Sequence, residues 1–321
     1  MKNILQTKAA FSALAAAVAL ACAGHASAAA PLSPIGMPGY ARIMVGDVEV
    51  TPLSDGTADL PMVDLLKNDK QKTLAALTKA HVGSPATTST NAFLINTGSK
   101  LILVDAGSGT LFGPTLGKLV DNLKASGYAP EQVDDILITH FHPDHIGGLV
   151  ANGKLAFPNA VVHADKRDAD YWLNADIKAK APKDFIGFFQ GAEVSVQPYI
   201  AAGKFKPFEH NGEVVPGIKS VSTYGHTAGH TTYILESKGK KLVILGDLIH
   251  VAAVQFDNPG VTIGFDSDPA QAASARAAMF KTIAKEDDLV AAAHLQFPGV
   301  GYIRANGKSW TWTPANYTSR P

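Results

Sequence analysis

The feature that most constrains the fold is a short apolar run that ends directly in a histidine-rich segment. Residues 135–139 read Asp-Ile-Leu-Ile-Thr, and four potential metal ligands follow within 140–145. Such a short apolar run is typical of a strand that is covered on both faces. Helical spacing of apolar residues over 116–125 and 269–284 alternates with further short strands, which predicts a layered α/β fold.

The segment after this strand has the composition of a metal site. Its pattern is His-Phe-His-Pro-Asp-His, with potential ligands at His140, His142, Asp144 and His145. Imidazole and carboxylate groups suit Zn²⁺ and its first-row neighbours, whereas a sulfur site would need cysteine. Four ligands of this kind can serve two metal ions. The alternative is a solvated turn whose charge changes with pH.

Three further ligand-type residues each follow an apolar run later in the chain. They are His226 after 218–222, Asp247 after 241–245 and His294 after 289–292. Because strands deliver the residues at their ends to one edge of a sheet, we expect these side chains to join the histidine-rich segment. Asp105, which follows another predicted strand, either orients a ligand histidine from behind or caps a turn.

Composition excludes several other classes of protein. The chain has 28 basic and 28 acidic residues, so it lacks the excess positive charge of a general nucleic-acid-binding surface. Apolar residues make up 46% and charged residues 17% of the chain, which excludes wholesale disorder. One cysteine excludes an internal disulfide framework. The absence of a G-x-S-x-G motif argues against a serine nucleophile.

The first 28 residues predict a cleaved signal peptide. Lys2 and Lys8 precede an apolar run over 9–23, and small residues ending at Ala28 form a cleavage site of the A-x-A type. The apolar run is shorter than the ~20 residues that a membrane span needs. We therefore predict a signal peptide over 1–28, a single domain over 29–321, and export to a bacterial periplasm.

The order of these motifs resembles that of the metallo-β-lactamase superfamily. Its H-x-H-x-D-H signature stands at 140–145, and its H-T-x-G-H segment stands at 226–230. The resemblance extends from Asn91 through His294 and implies a single-domain αββα sandwich with two metal ions at one edge. It assigns to one metal His140, His142 and His226. It assigns to the other metal Asp144, His145 and His294, with Asp247 as the bridge. Zinc is the expected metal, with manganese, cobalt or iron as alternatives.

Four more segments resemble the methyl parathion hydrolases, which are exported phosphotriesterases of the same superfamily. These segments are 112–117, 203–208, 251–256 and 294–299. The resemblance implies an aromatic leaving-group pocket formed by Phe112, Trp172 and Phe188. Other pocket positions depart from the phosphotriesterase pattern and resemble relatives that hydrolyse aryl lactones such as dihydrocoumarin. These positions are Leu65, His250, Ile263 and Phe265.

Together the resemblances imply a dinuclear metallohydrolase of aryl lactones and esters, with phosphotriester hydrolysis as a side activity. Asp144 and Asp247 are the expected catalytic carboxylates, because they limit the charge of the cluster and can accept a proton from the attacking hydroxide. The alternatives are a dedicated organophosphate hydrolase and, from another class, a non-catalytic periplasmic metal-binding protein. The expected partners are small aryl lactones, esters or phosphotriesters, without nucleic acid or a stable membrane anchor. A homodimer is one option for the assembly of the chain.

Overall fold

Two seven-stranded sheets build the protein, and each sheet is covered by helices on its outer face. The computed structural model describes residues 37–209 and 211–316. The chain from Pro38 onward forms one unit. This arrangement is the single-domain αββα sandwich that the sequence predicts. The predicted signal peptide, residues 1–28, lies outside the described residues, and so does the predicted domain boundary at residue 29.

The first half of the chain supplies the first sheet and a small ribbon. The strands are β1 (Ile43–Val45), β2 (Val48–Leu60), β3 (Ala86–Asn96), β4 (Leu101–Val104), β5 (Asp135–Leu137), β6 (Val150–Ala151), β7 (Lys154–Leu155), β8 (Val161–Asp165) and β9 (Phe205–Phe208). The sheet order is β1-β2-β3-β4-β5-β8-β9, and β6 pairs with β7 separately. β4, β5, β8 and β9 are parallel to one another, whereas the pairs before β4 are antiparallel.

The second half of the chain supplies the second sheet. Its strands are β10 (Gly212–Val215), β11 (Ile218–Ser222), β12 (Thr231–Ser237), β13 (Lys240–Ile244), β14 (Leu289–Ala291), β15 (Val300–Asn306) and β16 (Ser309–Pro314). Neighbours in the chain are neighbours in this sheet. β13 and β14 are parallel, and the other pairs are antiparallel.

The helices connect and cover these strands. They are α1 (Met62–Leu65), α2 (Lys70–Lys79), α3 (Leu119–Ala125), α4 (Pro143–Ile146), α5 (Lys166–Trp172), α6 (Ala175–Lys180), α7 (Ile186–Ala201), α8 (Ala252–Gln255) and α9 (Pro269–Glu286). The predicted start of α9 is confirmed, because the side chain of Asp268 accepts the N–H of Gln271. No helix within the described residues has both the length and the apolar character needed to span a membrane.

Alternating side chains of the central strands separate two cores. Leu101 and Leu103 of β4 pack against the helices, whereas Ile102 and Val104 pack against the second sheet. Phe280 of α9 lies in a third core on the outer face of the second sheet. Burial on both faces explains why these strands read as continuous apolar runs in the sequence.

Candidate metal centre

Strand ends bring the ligand-type residues to one edge of the sandwich. His140 follows β5, which is parallel to β4, the strand that ends before Asp105. Asp247 follows β13 and His294 follows β14, and these strands are also parallel. His226 follows β11, which runs in the same direction as β13 because two antiparallel pairings separate them. Parallel strands end at the same edge of a sheet, so the ligand-type residues converge.

The turn after β5 positions the histidine-rich segment. His142 precedes the short helix α4, and the N–H of His145 donates to the carbonyl of His142 at 3.0 Å. Pro143 occupies the first helical position, where a missing N–H costs nothing. The chain then passes so close to the backbone of Ala106 that a side chain at Gly148 would overlap its carbonyl oxygen. The glycine after the motif therefore permits the close approach of two loops.

The Asp247 carboxylate lies at the centre of the cluster. Its Oδ1 is 3.2 Å from His145 Nε2 and 3.1 Å from His294 Nε2. Its Oδ2 is 3.2 Å from His226 Nε2 and 3.6 Å from His140 Nε2. His294 Nε2 is also 3.2 Å from Oδ2, and His250 Nε2 is 3.1 Å from Oδ2, so this one carboxylate contacts histidines on every side of the cluster.

Each group contains enough ligand-type atoms for one metal ion. The first group comprises His140, His142, His226 and Asp247. The second group comprises Asp144, His145 and His294. Within each group the ligand atoms lie within 4.8 Å of one another. The structure thus brings together all seven candidate ligands in the two groups that the resemblance implies. A third group of Asp247, His250 and His294 has the same spacing and adds a histidine that the resemblance assigns to the pocket.

The central polar atoms fit metal ions. Among the described residues, His140 Nε2, His145 Nε2 and Asp247 Oδ1 are buried and have no hydrogen-bond partner. A buried polar atom without a partner is costly, so these atoms mark a place where another group belongs. The donor atoms are nitrogen and oxygen without sulfur, which suits zinc and its first-row neighbours. The residues present therefore fit two divalent ions.

Carboxylates hold two of the ligand histidines from behind. His145 Nδ1 lies 2.8 Å from Asp105 Oδ2, and His226 Nδ1 lies 2.8 Å from Asp266 Oδ1. Such a partner fixes the orientation of the ring and makes the ligand nitrogen more basic. Of the two roles that the sequence leaves open for Asp105, the structure shows the orienting one. The role of Asp266 was not predicted from the sequence.

Neutral groups hold two other ligand histidines. His140 Nδ1 lies 3.0 Å from Thr139 Oγ1, and His294 Nδ1 lies 2.8 Å from the carbonyl oxygen of Ser89. Asp105 also accepts hydrogen bonds from the N–H and the hydroxyl of Thr139, at 2.8 and 2.9 Å. One buried carboxylate therefore fixes the strand end that leads into both ligand groups.

A second buried carboxylate connects the two ligand-bearing turns. Asp168 of α5 accepts the N–H of Phe141 at 2.8 Å and the N–H of Gly229 at 2.5 Å. It also accepts the hydroxyl of Thr227, the residue after His226, at 2.9 Å. Burial raises the pKa of Asp168 to about 6, although the hydrogen bonds from its three donors lower it. This link, which was not predicted from the sequence, joins the turn after β5 to the turn after β11.

His230 supports the cluster without joining either ligand group. Its Nε2 accepts the backbone N–H of Asp247 at 2.9 Å, and its Nδ1 lies 2.9 Å from Thr223 Oγ1. Burial lowers the pKa of His230 to about 3, so the ring stays neutral. An imidazole whose acceptor nitrogen is already used is not free to bind a metal.

The electrostatics of the cluster favour a cation. Burial lowers the pKa of His140 and of His142 well below the ordinary value, which leaves neutral rings with free lone pairs. Burial opposes ionisation of Asp247, but the charges of His294 and His145 hold the pKa of this carboxyl well below its usual range. Burial opposes protonation of His145, His226 and His294, but the neighbouring carboxylates, Asp247 foremost, raise the pKa of each ring. The centre therefore combines an ionised carboxylate with two neutral imidazoles, and a metal ion must displace protons from the other three rings.

The cluster opens onto an aromatic cavity of about 390 Å³. The cluster residues that line it are His142, Asp144, Asp247 and His294. Three aromatic rings and a further histidine also line it, those of Phe112, Phe188, Phe265 and His250. This volume falls in the range of roughly 300–1,000 Å³ that is typical of small-molecule sites. Four of the predicted pocket residues therefore reach the cavity. Lining residues that the sequence did not indicate are Ala58, Leu60, Thr88, Thr90 and Leu116.

The loop that carries Phe112 is fixed by a buried carboxylate. Asp55 Oδ2 accepts the N–H of Ser108 at 2.8 Å and the N–H of Gly117 at 3.1 Å. Its Oδ1 accepts the N–H of Leu119 at 3.1 Å. Asp55 thus ties together the two ends of the loop, and the exposed ring of Phe112 projects from a fixed base.

Three of the predicted pocket residues lie behind the cavity lining. Trp172 is buried, with its ring 6.2 Å from that of Phe188 and 5.4 Å from that of His142. Ile263 is buried in the apolar core under α1 and α8, and Leu65 packs against the same core. These three side chains are not among the described residues that line the cavity, so their contact with substrate stays a prediction.

Two solved hydrolase structures are similar to the protein over nearly the whole chain. One is described as the hydrolase AbOPH in the beta lactamase superfamily. It is 40% identical with a TM-score of 0.85, and the match covers 89% of this chain and 100% of that chain. The other is AidC, described as a dizinc quorum-quenching lactonase in complex with the product N-hexanoyl-L-homoserine. It is 26% identical with a TM-score of 0.81, and the match covers 88% of this chain and 99% of that chain.

Curated relatives and a family model extend these similarities. An N-acyl homoserine lactonase of Bacillus sp. is 28% identical over 177 residues, which are 55% of this chain. The chain spans 62% of the length of that relative. The model of the metallo-beta-lactamase superfamily matches residues 86–294, a segment that makes up more than half of the chain and includes every residue of the two ligand groups. The chain therefore belongs to the metallo-β-lactamase superfamily.

Proposed function

We propose that the protein is a dinuclear zinc hydrolase that opens lactones, with a preference for aryl lactones and esters of the dihydrocoumarin type. The observation that supports this proposal is that two ligand groups share Asp247 and open onto a cavity lined by aromatic rings. The similarity to AidC, which is described as a dizinc lactonase, extends over 88% of this chain and agrees with the lactonase part of the proposal.

The residues of the cluster divide the work of hydrolysis between them. The ions, when bound, lower the pKa of water and polarise the carbonyl oxygen of a substrate. The side chain of Asp144 is 20% exposed and lines the cavity, whereas that of Asp247 is 3% exposed. Asp144 is therefore the carboxylate that can accept a proton and pass it to solvent. The carboxylate of Asp247 holds the two ligand groups at a fixed position relative to each other.

The cavity favours a flat substrate with a good leaving group. The Phe188 ring lies 5.1 Å from the His142 ring and 6.3 Å from the Phe265 ring, so an aromatic substrate meets aromatic surfaces beside the cluster. Among the described lining residues, every acid and imidazole belongs to the cluster or contacts it. His250 lines the cavity outside the two ligand groups, but burial lowers its pKa, so its neutral ring is a poor acid for a departing amine. A phenolate leaves without such help, which favours aryl lactones and esters over amides.

Phosphotriester hydrolysis fits this site as a side activity. A dialkyl phosphotriester has substituents on both sides of the plane of its aryl group, and the ring of Phe265 beside that of Phe188 restricts one side. A displacement of the electrophile by about 1 Å can cost about 100-fold in rate. The alternative, a dedicated organophosphate hydrolase, requires phosphotriesters to be hydrolysed as efficiently as aryl lactones.

Steady-state kinetics of the zinc-loaded protein test these proposals. The substrates are dihydrocoumarin, phenyl acetate, N-hexanoyl homoserine lactone, paraoxon and a penicillin. We expect the largest kcat/KM for dihydrocoumarin. Asp247→Ala should abolish turnover, whereas His81→Asn, at an exposed histidine outside the cluster, should leave it unchanged.

Each other result of this panel points to a different function. A larger kcat/KM for the homoserine lactone would keep the lactonase and refute the aryl preference. A larger kcat/KM for paraoxon would identify an organophosphate hydrolase. Uptake of zinc without turnover of any of these substrates would identify a metal-binding protein and refute the hydrolase.

We also propose that the protein is exported, on the basis of its first 28 residues. Cleavage after Ala28 removes Cys22, which is the one cysteine of the sequence, so that the mature chain has no thiol to mispair in an oxidising compartment. Fractionation of the expressing bacterium should give a periplasmic protein whose first residue is Ala29 by mass spectrometry. A cytoplasmic protein with an intact N-terminus would refute the proposed export.

A further inference from the structure

A buried arginine supports one wall of the cavity from behind. Arg276 of α9 is 0% exposed, and its Nε donates to the carbonyl oxygen of Leu248 at 2.5 Å. Its Nη1 donates to the carbonyl oxygens of Pro259 and Val261, at 2.7 and 2.8 Å. Within the described part of the chain, its Nη2 has no hydrogen-bond partner. A guanidinium buried on backbone carbonyls alone is expensive to keep, which indicates a role beyond filling space.

A buried glutamine joins the same two segments of the chain. Gln255 Oε1 accepts the N–H of His250 at 2.8 Å and the N–H of Val251 at 3.0 Å. Its Nε2 donates to the carbonyl oxygen of Val261 at 3.0 Å. The carbonyl oxygen of Val261 therefore accepts hydrogen bonds from both Gln255 and Arg276, and it connects the two side chains into one buried support.

The two segments joined by this support carry the cluster and the cavity wall. Leu248 directly follows Asp247 in the chain. The segment 259–261 leads into Phe265, which lines the cavity, and into Asp266, which orients a histidine of the first ligand group. A shift of one segment against the other would therefore move the aromatic wall relative to the metal ligands.

We propose that Arg276 and Gln255 are positioning residues that hold the wall at 259–266 against the Asp247 turn and thereby set substrate selectivity. This inference rests on the proposed hydrolase function. Neither side chain is among the residues that line the cavity. Their effect must therefore pass through Phe265 and His250, and it should be larger for a substrate that touches these side chains than for one that does not.

Three variants separate this role from general stability. Arg276→Met removes the guanidinium but keeps an apolar stem, since arginine also packs through its methylene groups. Arg276→Lys keeps the charge but loses the planar fork that reaches three carbonyls. Gln255→Glu keeps an oxygen that can accept the two hydrogen bonds from His250 and Val251, but it loses the N–H that donates to Val261. It therefore tests the connection through Val261 even if the arginine variants do not fold. Arg304→Met is the matched control, because Arg304 is a partly exposed arginine paired with Asp287 on the surface.

The readouts on zinc-loaded protein are metal content, kcat/KM for two lactones, and hydrogen exchange over 257–266. We expect two zinc ions in each variant and faster exchange over 257–266 than in the wild type. For Arg276→Met we expect kcat/KM to fall by about 10–100-fold with dihydrocoumarin, in line with a wall displaced by up to about 1 Å. With γ-butyrolactone, which lacks the aromatic ring, the fold-loss of kcat/KM should be smaller than that with dihydrocoumarin, by a factor of at least about ten. Arg276→Lys should lie between the wild type and Arg276→Met, and Arg304→Met should match the wild type.

Two results would overturn the inference. The first is an equal loss of kcat/KM for both lactones with the metals retained, since that is the signature of a merely structural residue. The second is unchanged exchange over 257–266 in both Arg276→Met and Gln255→Glu. If the wild type opens neither lactone, the proposed function fails. The exchange measurement then decides separately whether the support holds the wall.

Discussion

Replacing Asp105 with asparagine should weaken the binding of the metal ion of the second group more than that of the first. Asp105 Oδ2 lies 2.8 Å from His145 Nδ1, and the same carboxylate accepts the N–H and the hydroxyl of Thr139. Its φ of 61° lies in the left-handed region, which asparagine tolerates better than most residues. The substitution therefore removes the negative charge without adding backbone strain. His226 of the first group keeps its own partner, Asp266.

The size of the effect follows from the lost hydrogen bond. A hydrogen bond to a charged group contributes about 1.5–3 kcal/mol, and an amide nitrogen cannot accept from His145 Nδ1–H. Since about 1.4 kcal/mol corresponds to a tenfold change in the dissociation constant, the ion of the second group should bind roughly 10–100-fold more weakly. This range agrees with the roughly 10–100-fold cost of removing the outer partner of a metal ligand in other proteins.

The assay is competition for zinc between the protein and chelators of graded affinity, with the metal content measured after each step. Asp135→Asn is the matched control, because Asp135 begins β5, the strand that ends before the cluster, and its Oδ1 lies 2.9 Å from His163 Nε2. That variant should lose stability but no metal affinity. Unchanged affinity for both ions in Asp105→Asn, or an equal loss in Asp135→Asn, would refute the reasoning.

Other predictions concern the cluster, the link between its turns and the cavity. Asp247→Ala should lower zinc content below two ions and leave the far-ultraviolet circular dichroism unchanged, because the two sheets do not depend on this turn. Burial raises the pKa of Asp168 to about 6, so the folded state holds this proton more tightly than the unfolded chain does. The contribution of Asp168 to the free energy of unfolding of metal-free protein should therefore fall as the pH rises from about 4 to 6, by up to about 3 kcal/mol. Urea titrations should show it as the difference between the wild type and Asp168→Asn, because buried His230, whose pKa is lowered to about 3, changes the total in the opposite direction. Phe265→Leu with His250→Leu should raise kcat/KM for paraoxon at least about tenfold without raising it for dihydrocoumarin; no gain with two zinc ions bound would contradict the role of the wall.

The candidate ligands could be predicted from the sequence because each one follows its strand directly. A ligand that stands within a few residues of an apolar run leaves a local signal, and the topology then needs only to place the strand ends at one edge. The strand Ile218–Ser222 has the predicted bounds, and β13 and β14 end within one residue of the prediction. Asp105 gave the same kind of signal, and the structure shows its contact with His145.

Apart from Asp105, the groups that hold these ligands leave no local signal. His294 and Ser89 are 205 positions apart in the chain, and the contact uses a backbone carbonyl that every residue has. Arg276 likewise binds carbonyls, so nothing in the sequence distinguishes it from a surface arginine. The helix α7 carries apolar residues on its exposed side as well, Val194 and Ile200, which weakens the periodic pattern that predicts an amphipathic helix. These contacts depend on the fold as a whole rather than on any one segment.

The placement of the predicted pocket residues has a consequence for selectivity. Trp172 lies behind Phe188, and Ile263 lies in the core beneath the wall that carries Phe265. Protein interiors are close-packed, so a change of even one methylene group at such a position displaces the ring in front of it. Two ligands of the second group are held apart from this wall, by the Asp105 carboxylate and the Ser89 carbonyl, whereas His226 of the first group is held by Asp266 of the wall itself. Selectivity can therefore change through residues that do not line the cavity, while the second ligand group keeps its own supports.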